Sequence, residues 1–447
     1  MVRQKGSTGI FILICIVIIV LIVDTSIIRI ATSIGGLGPP YILLFTGIVI
    51  VFAVGNYTIL GYVKREYKDI GEKVFGYTTG RKLIDRVITI SQYALLTILV
   101  SVILQMVYTS SYHLFSLRAI IFISYGLSFI LLALLAKRFF SWFKSNHNAV
   151  VLVYALATVA LSTNSIMAII YIDNEFNDKP DFIHNIRSLT GAFEGTAMGI
   201  SSAYTVTSVL SFILMWIGTI LLMKHYPRRI GKAKYWIGVG IPLAYFLSQF
   251  QPLFLYSFPD FRLSDPVLFG VVYNMFYTVA VPAGGILFGI AFWTVAKHLP
   301  NLAVRRYMLI SAFGVMLLFA ANQLTSLVLV PYPPFGLVTV SFMGLASYLF
   351  YLGIYSASVS VSEDSKLRQS IRKAAIKEST EFLDSIGSAE MIQEIERKVV
   401  SMTTASKADI ENETGISSSF DEEDMRKYLQ EAIQEIKRVR DKGNNQK

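Results

Sequence analysis

Ten apolar runs divide this chain, near residues 9–31, 39–62, 87–109, 114–136, 149–172, 199–223, 235–257, 266–295, 307–330 and 334–357. Crossing the hydrocarbon of a bilayer takes about 20 predominantly apolar residues, and each run has that length. None alternates apolar and polar positions in short segments, as barrel strands do. A backbone in lipid satisfies its own hydrogen bonds, so the pattern predicts helices. The expected fold class is an all-α integral membrane protein: a bundle of about ten transmembrane helices over residues 1–360, then a tail over 361–447.

The tail has a different rhythm. Leu367, Ile371, Phe382 and Ile386 fall on one helical stripe. Gly387 and Ser388 have the character of a C-cap followed by an N-cap, so a break is expected between them. Ile392, Ile395, Val399 and Met402 mark a second amphipathic stretch, and a Ser/Thr-rich link follows near 403–418. Ser419 and Glu422 then form a capping box. Met425, Leu429, Ala432, Ile436 and Val439 repeat at heptad spacing for about two heptads, short of the three or four that argue a coiled coil. The expectation is a cytosolic helical tail. Its residues 419–440 suit self-association, a cytosolic protein partner, or packing on the tail itself.

Charge in the links orients the bundle. One set of links, including span ends, holds twenty Lys and Arg: Arg3 and Lys5, seven over 63–86, three over 137–144, five over 224–234, and Lys297, Arg305 and Arg306. The opposite set holds five: Arg29, Arg118, Lys179, Arg187 and Arg262. Basic links are retained on the cytoplasmic side during insertion. The bias predicts a multi-pass protein of the cell membrane with its N-terminus and tail in the cytoplasm. The first run has a second reading, as the core of a signal peptide ending near Ala31-Thr32-Ser33. Asp24 and Arg29 separate that site from the apolar core, which favours a retained span.

Composition agrees with a lipid solvent. Hydrophobic residues make up 54% and charged residues 16% of 447, whereas soluble domains are nearer a quarter charged. Of the net charge of +10, residues 1–362 carry 25 basic and 12 acidic side chains and residues 363–447 carry 15 and 18, so the excess positive charge lies in the membrane-flanking part. No basic stripe interleaved with aromatics occurs in the soluble part, so no nucleic-acid partner is expected. The lone Cys15 excludes an intrachain disulfide.

Chemistry inside the spans is carried by amides and tyrosines. Ionisable groups at membrane depth are costly and usually functional, yet only Asp24 is a candidate, placed either well inside the first span or at its outer interface. Asn56, Gln92, Gln105, Asn164, Gln249, Gln251, Asn274, Asn322 and Gln323 supply the buried polarity. Asn164, Asn322, Gln323, Tyr273, Asn274, Tyr277 and Gln249 form a candidate neutral pocket for a small solute. The competing reading of each amide is a hydrogen bond between helices. Span eight runs 30 residues and contains Pro282, Gly284 and Gly285. A helix break exposing backbone to a cavity is one reading, and a kinked structural helix is the other. No metal-ligand spacing, nucleophile elbow or cofactor fingerprint occurs, and no metal or cofactor is expected. An enzyme acting on lipids, drawing on Glu66, Asp69, Glu72 and Asp85, ranks last because these residues match no motif.

Residues 126–172 and 285–332 have parallel patterns: a Gly, an apolar run ending Ala136-Lys137 or Ala296-Lys297, a basic link, then a helix carrying Asn164 or Asn322. Spans two to five and six to nine would then form a parallel repeat, as in transporters. Apolar helices with basic links also resemble one another by chance. The stretch PYPPFGLVTVSFMGLASYLFYLGIYSASVSVSEDSKLRQSIRK, residues 331–373, resembles the final span and tail start of an uncharacterised family of archaeal multi-span membrane proteins. That resemblance implies a membrane location and no particular chemistry. Two functions follow as expectations: small-solute transport or binding first, and a membrane sensor or scaffold signalling through its tail second.

Overall fold

The computed structural model describes residues 2–34, 40–74, 79–177, 179–184, 198–224, 231–250, 259–299, 301–324, 327, 331–363 and 381–414. Fourteen helices account for nearly all of them. They are α1 (Val2–Ile34), α2 (Pro40–Val74), α3 (Thr79–Thr109), α4 (Leu114–Asn146), α5 (Ala149–Phe176), α6 (Met198–Leu222), α7 (Lys232–Ser248), α8 (Pro259–Ser264), α9 (Pro266–Thr278), α10 (Ala280–Lys297), α11 (Leu302–Ala321), α12 (Leu337–Ser341), α13 (Met343–Glu363) and α14 (Glu381–Thr414). Eight helical segments are long and apolar enough to cross a membrane: Tyr41–Arg65, Leu83–Thr109, Leu114–Asn146, Ala149–Phe176, Gly199–Leu222, Pro266–Lys297, Leu302–Ala321 and Leu337–Ser362. The protein is an all-α, multi-pass membrane bundle. Two of the ten runs do not meet that length: the apolar described part of α1, Ile12–Ile27, and α7, which spans 17 residues.

The innermost element is the last span, buried on nearly every side from Leu337 to Ser362. Small residues let its neighbours approach. A Cβ on Gly314 of α11 would lie 2.4 Å from the backbone N of Phe350, and one on Gly353 would lie 2.6 Å from Tyr307 O. The two backbones therefore touch, as small residues allow in membrane bundles. Gly285 and Gly289 do the same for α10 on α11: added Cβ atoms would sit 2.6 Å from Phe319 Cβ and 2.8 Å from Ala312 O. Helix hairpins α4/α5 and α10/α11 start their second helices alike. Asn148 Oδ1 accepts from Val150 N at 2.8 Å, and Asn301 Oδ1 accepts from Ala303 N at 2.8 Å. An N-cap amide thus satisfies an otherwise orphaned donor at each turn.

Three features differ from the sequence expectation. A short antiparallel pair, β1 (Ser111–His113) with β2 (Phe182–His184), ties the link after α5 to the start of α4. The helix of the ninth run stops at Ala321 rather than 330, and the last begins at Leu337. Asn322 leaves the helical region (φ −80°, ψ 66°) to aim its side chain inward. Pro331, Pro333, Pro334 and a positive-φ Gly336 keep the chain irregular until 337. Finally, α14 passes straight through Gly387 and on to Thr414, so no break occurs there and 403–414 is helical. Gly387 serves instead as a contact: a Cβ there would be 2.2 Å from Val361 Cγ1. The heptad at 419–440 lies outside the described residues.

Candidate functional site

The described residues between α11 and α12 (322–324, 327 and 331–336) lie where the buried polar groups gather. Non-helical backbone at membrane depth persists only where protein or a cavity surrounds it, and here protein does. Asn322 Nδ2 donates to Asn164 Oδ1 at 3.1 Å, and Tyr125 OH donates to Asn322 Oδ1 at 3.2 Å. Asn164 Nδ2 donates in turn to Tyr204 O at 3.3 Å and Thr207 Oγ1 at 3.2 Å. The two amides from the parallel sequence patterns are therefore in direct contact, linking α4, α5, α6 and the end of α11. One turn along α4 from Tyr125, Ser128 Oγ lies 2.7 Å from Ser347 Oγ of α13 and 3.3 Å from Ser165 Oγ of α5.

The next residue continues the network. Gln323 Nε2 donates to Thr278 O at 3.1 Å. The reason lies four residues on, at Pro282. Proline has no N–H, so the carbonyl at position 278 loses its helical partner. The interruption of span eight falls at Val279, between α9 and α10, and the Gln323 amide occupies the vacated acceptor. Gly284 and Gly285 beside it are contact positions, the first facing Phe212 with an added Cβ only 2.2 Å from its ring.

Tyr273, Asn274 and Tyr277 ride on α9 just before that interruption. The rings of Tyr273 and Tyr277 meet edge-on at 4.8 Å, and Thr278 Oγ1 donates to Asn274 O at 2.7 Å. Tyr277 OH donates to Ser248 O at 3.3 Å, next to Gln249 at the end of α7. Tyr245 OH reaches back to Phe276 O. Asn164 bonds Asn322, its neighbour Gln323 bonds α9, and α9 bonds the end of α7. Gln249 joins by position, as the C-cap of α7 whose N–H bonds Leu247 O.

Asp24 lies on the other side of the same passage, fully buried. Its Oδ2 accepts from Thr339 N at 3.0 Å and Thr339 Oγ1 at 2.7 Å. The carboxylate of α1 thereby caps the start of α12, where the Thr339 N–H has no intrahelical acceptor, and the Thr339 hydroxyl, which also lies 3.2 Å from Leu21 O, adds a second contact. Asp85, from the acidic set near 63–86, accepts from Tyr348 OH at 2.6 Å. Side chains of Glu66, Asp69 and Glu72 lie outside the described residues. Among described residues no group of three or more His, Cys, Asp or Glu is placed to hold a metal ion.

The resulting site has donors and acceptors in quantity and, among the described residues, no paired nucleophile and base. Sequence reading missed Tyr125, Tyr204, Thr207 and Thr339. The Pro- and Gly-rich segment 331–336 was the signal for the irregular passage, and Thr339 follows it at once. Comparison with known protein families, with curated proteins and with solved structures found no match to this chain.

Proposed function

We infer that this chain is a membrane transporter or solute-binding bundle for a small neutral polar molecule. It has ten spans, with α1 and the α7 region completing the eight, and the N-terminus and tail on the cytoplasmic side of the cell membrane. The observation that carries the reading is the Asn164–Asn322 hydrogen bond, placed where α11 ends inside the bundle and beside the interruption at Val279. Discontinuous helices that leave polar backbone near a shared interior are how transporters build binding sites. Contact between the two equivalent Asn residues, and the matching caps Asn148 and Asn301, support a parallel repeat whose halves meet at that pair.

The test is uptake into vesicles across a panel of neutral polar solutes. Asn164→Leu and Asn322→Leu should each abolish the uptake that the unaltered protein supports. Unchanged uptake in both variants would remove the pocket from the pathway.

A second reading, a sensor signalling through its tail to a protein partner, is favoured by one observation. The tail helix is seated on the bundle by Glu390, which accepts from Trp142 Nε1 at 2.7 Å. It predicts that deleting 415–447 from the full chain releases a bound cytosolic protein and leaves solute uptake as it was.

A further inference from the structure

Phe382 belongs to the tail, yet it is only 1% exposed. Its ring centroid lies 5.6 Å from Tyr154 of α5, 6.4 Å from Phe139 of α4 and 6.4 Å from Phe292 of α10. Tyr154 also meets Phe292 at 5.4 Å and Phe139 at 6.1 Å. Three helices of the membrane bundle thus close around one ring that the tail supplies.

Beyond that ring α5 carries a stripe of hydroxyls, of which Thr158 and Ser165 also bond back to carbonyls of their own helix, Tyr154 O and Leu161 O. The hydroxyls of Tyr154, Thr158 and Ser165 belong to residues buried on one face of α5, with the equally buried Thr219 supplied by α6. Positions 154, 158, 162 and 165 follow the helical repeat, so they form a single stripe. The stripe runs to the Ser128–Ser165–Ser347 contact. Asn164 lies about 15 Å past Tyr154 along the axis, at about 1.5 Å per residue. Asn164 itself faces about 100° away from Ser165 around α5; the stripe reaches the amide cluster through α4, where Ser128 meets Ser165 and Tyr125, one turn away, binds Asn322.

The seat of Phe382 is keyed by polar contacts on one side and a close approach on the other. Glu390 takes the Trp142 indole N–H and lies 3.8 Å from Arg138. Arg138 in turn covers the Tyr355 ring at 5.0 Å. Asn148 Nδ2 donates to Ser385 Oγ at 2.8 Å, and Asn146 Nδ2 to Ser385 O at 3.3 Å. Gly387 rests on Val361 with no room for a side chain. These contacts hold α14 through Glu390 and Gln393, and its later turns expose Ile395 and Met402.

We propose that the first three turns of α14 are a gate: Phe382 plugs the tail-side end of the polar track along α5, and withdrawal of the tail opens that track to the cytoplasm. The purpose of such a gate rests on the transport reading above; its geometry and its test do not. Cys15 is the only cysteine, so a Cys15→Ser background carrying Thr158→Cys reports access to the track. In inside-out vesicles a membrane-impermeant maleimide labels that thiol slowly while Phe382 is seated. Phe382→Ala removes the plug, and Gly387→Leu wedges α14 away from Val361. Each should raise the labelling rate about tenfold or more, because reaction at a buried site follows its open population. Seating is followed separately by bis-maleimide crosslinking of Ser145→Cys to Gln393→Cys, whose native side chains meet at 3.3 Å. Faster labelling in either variant supports the gate. Unchanged labelling in Phe382→Ala, and in a Gly387→Leu protein that no longer crosslinks, overturns it. Neither readout needs a solute, so failure of the transport reading and failure of the gate are told apart.

Discussion

The two ends of the track are closed by different physics. At the tail end an aromatic ring from a separate segment fills a ring of Phe139, Tyr154 and Phe292, with Glu390 as its polar anchor. At the other end the bundle helices close on one another directly, through Asn164, Asn322, Tyr125 and Gln323. A plug of the first kind can leave while the helices stay where they are. A closure of the second kind opens only when α5 and α11 part. The comparison assigns independent movement to the tail end and collective movement to the amide end.

The sharpest way to break that contrast is at the amide end. Asn322→Leu leaves Asn164 Oδ1 and Tyr125 OH buried without partners. The cost should be about 2–3 kcal/mol, read as a fall in melting temperature of the detergent-solubilised protein. Asn164→Leu should behave alike. The double variant should fall short of the sum of the singles by about 1 kcal/mol, the coupling of one interhelical hydrogen bond. Strict additivity would show that the two amides do not act as a unit.

At the tail end Glu390→Leu should weaken docking of α14 by about 1–2 kcal/mol, since the Trp142 N–H loses its acceptor. The signature is faster proteolysis of the tail with the melting of the bundle unchanged. A matching drop in bundle melting would mean the tail is part of the core, and the contrast between the ends would collapse. Gln323→Leu should cost about 1 kcal/mol by stranding the Thr278 carbonyl freed by Pro282. The smallest effect belongs to Arg118→Ala. Arg118 lies 3.8 Å from Asp173 with both side chains partly exposed, so about 0.5 kcal/mol or less is expected.

Hydropathy alone located the spans that became α3 to α6, because lipid-facing helices are written in composition. The sequence singled out Asn164 and Asn322 from the patterns around them, and the structure places the two in contact. The ends of elements were not legible. The ninth run extends to 330 because residues 327–330 are apolar again; the polar Asn322, Gln323, Thr325 and Ser326 just after Ala321 look in sequence like groups within a span rather than its end. Only Asn322, placed where its amide finds Asn164 and Tyr125, gives the reason. Gly387 misled for a similar reason: a glycine that ends a helix and a glycine that lets a helix touch Val361 look identical in one sequence. The Ser/Thr content of 403–414 was read as a link, yet α14 includes it. The Asp24–Thr339 contact joins residues more than three hundred positions apart, beyond what local pattern conveys.

The crossing of α11 and α13 has a mechanical consequence. With Gly314 and Gly353 bringing main chain against main chain, neither helix has side-chain slack to slide or roll on the other. The pair behaves as a single stiff mast. The expectation is that α11 and α13 move together, if they move at all, while the helices packed around them shift against that pair.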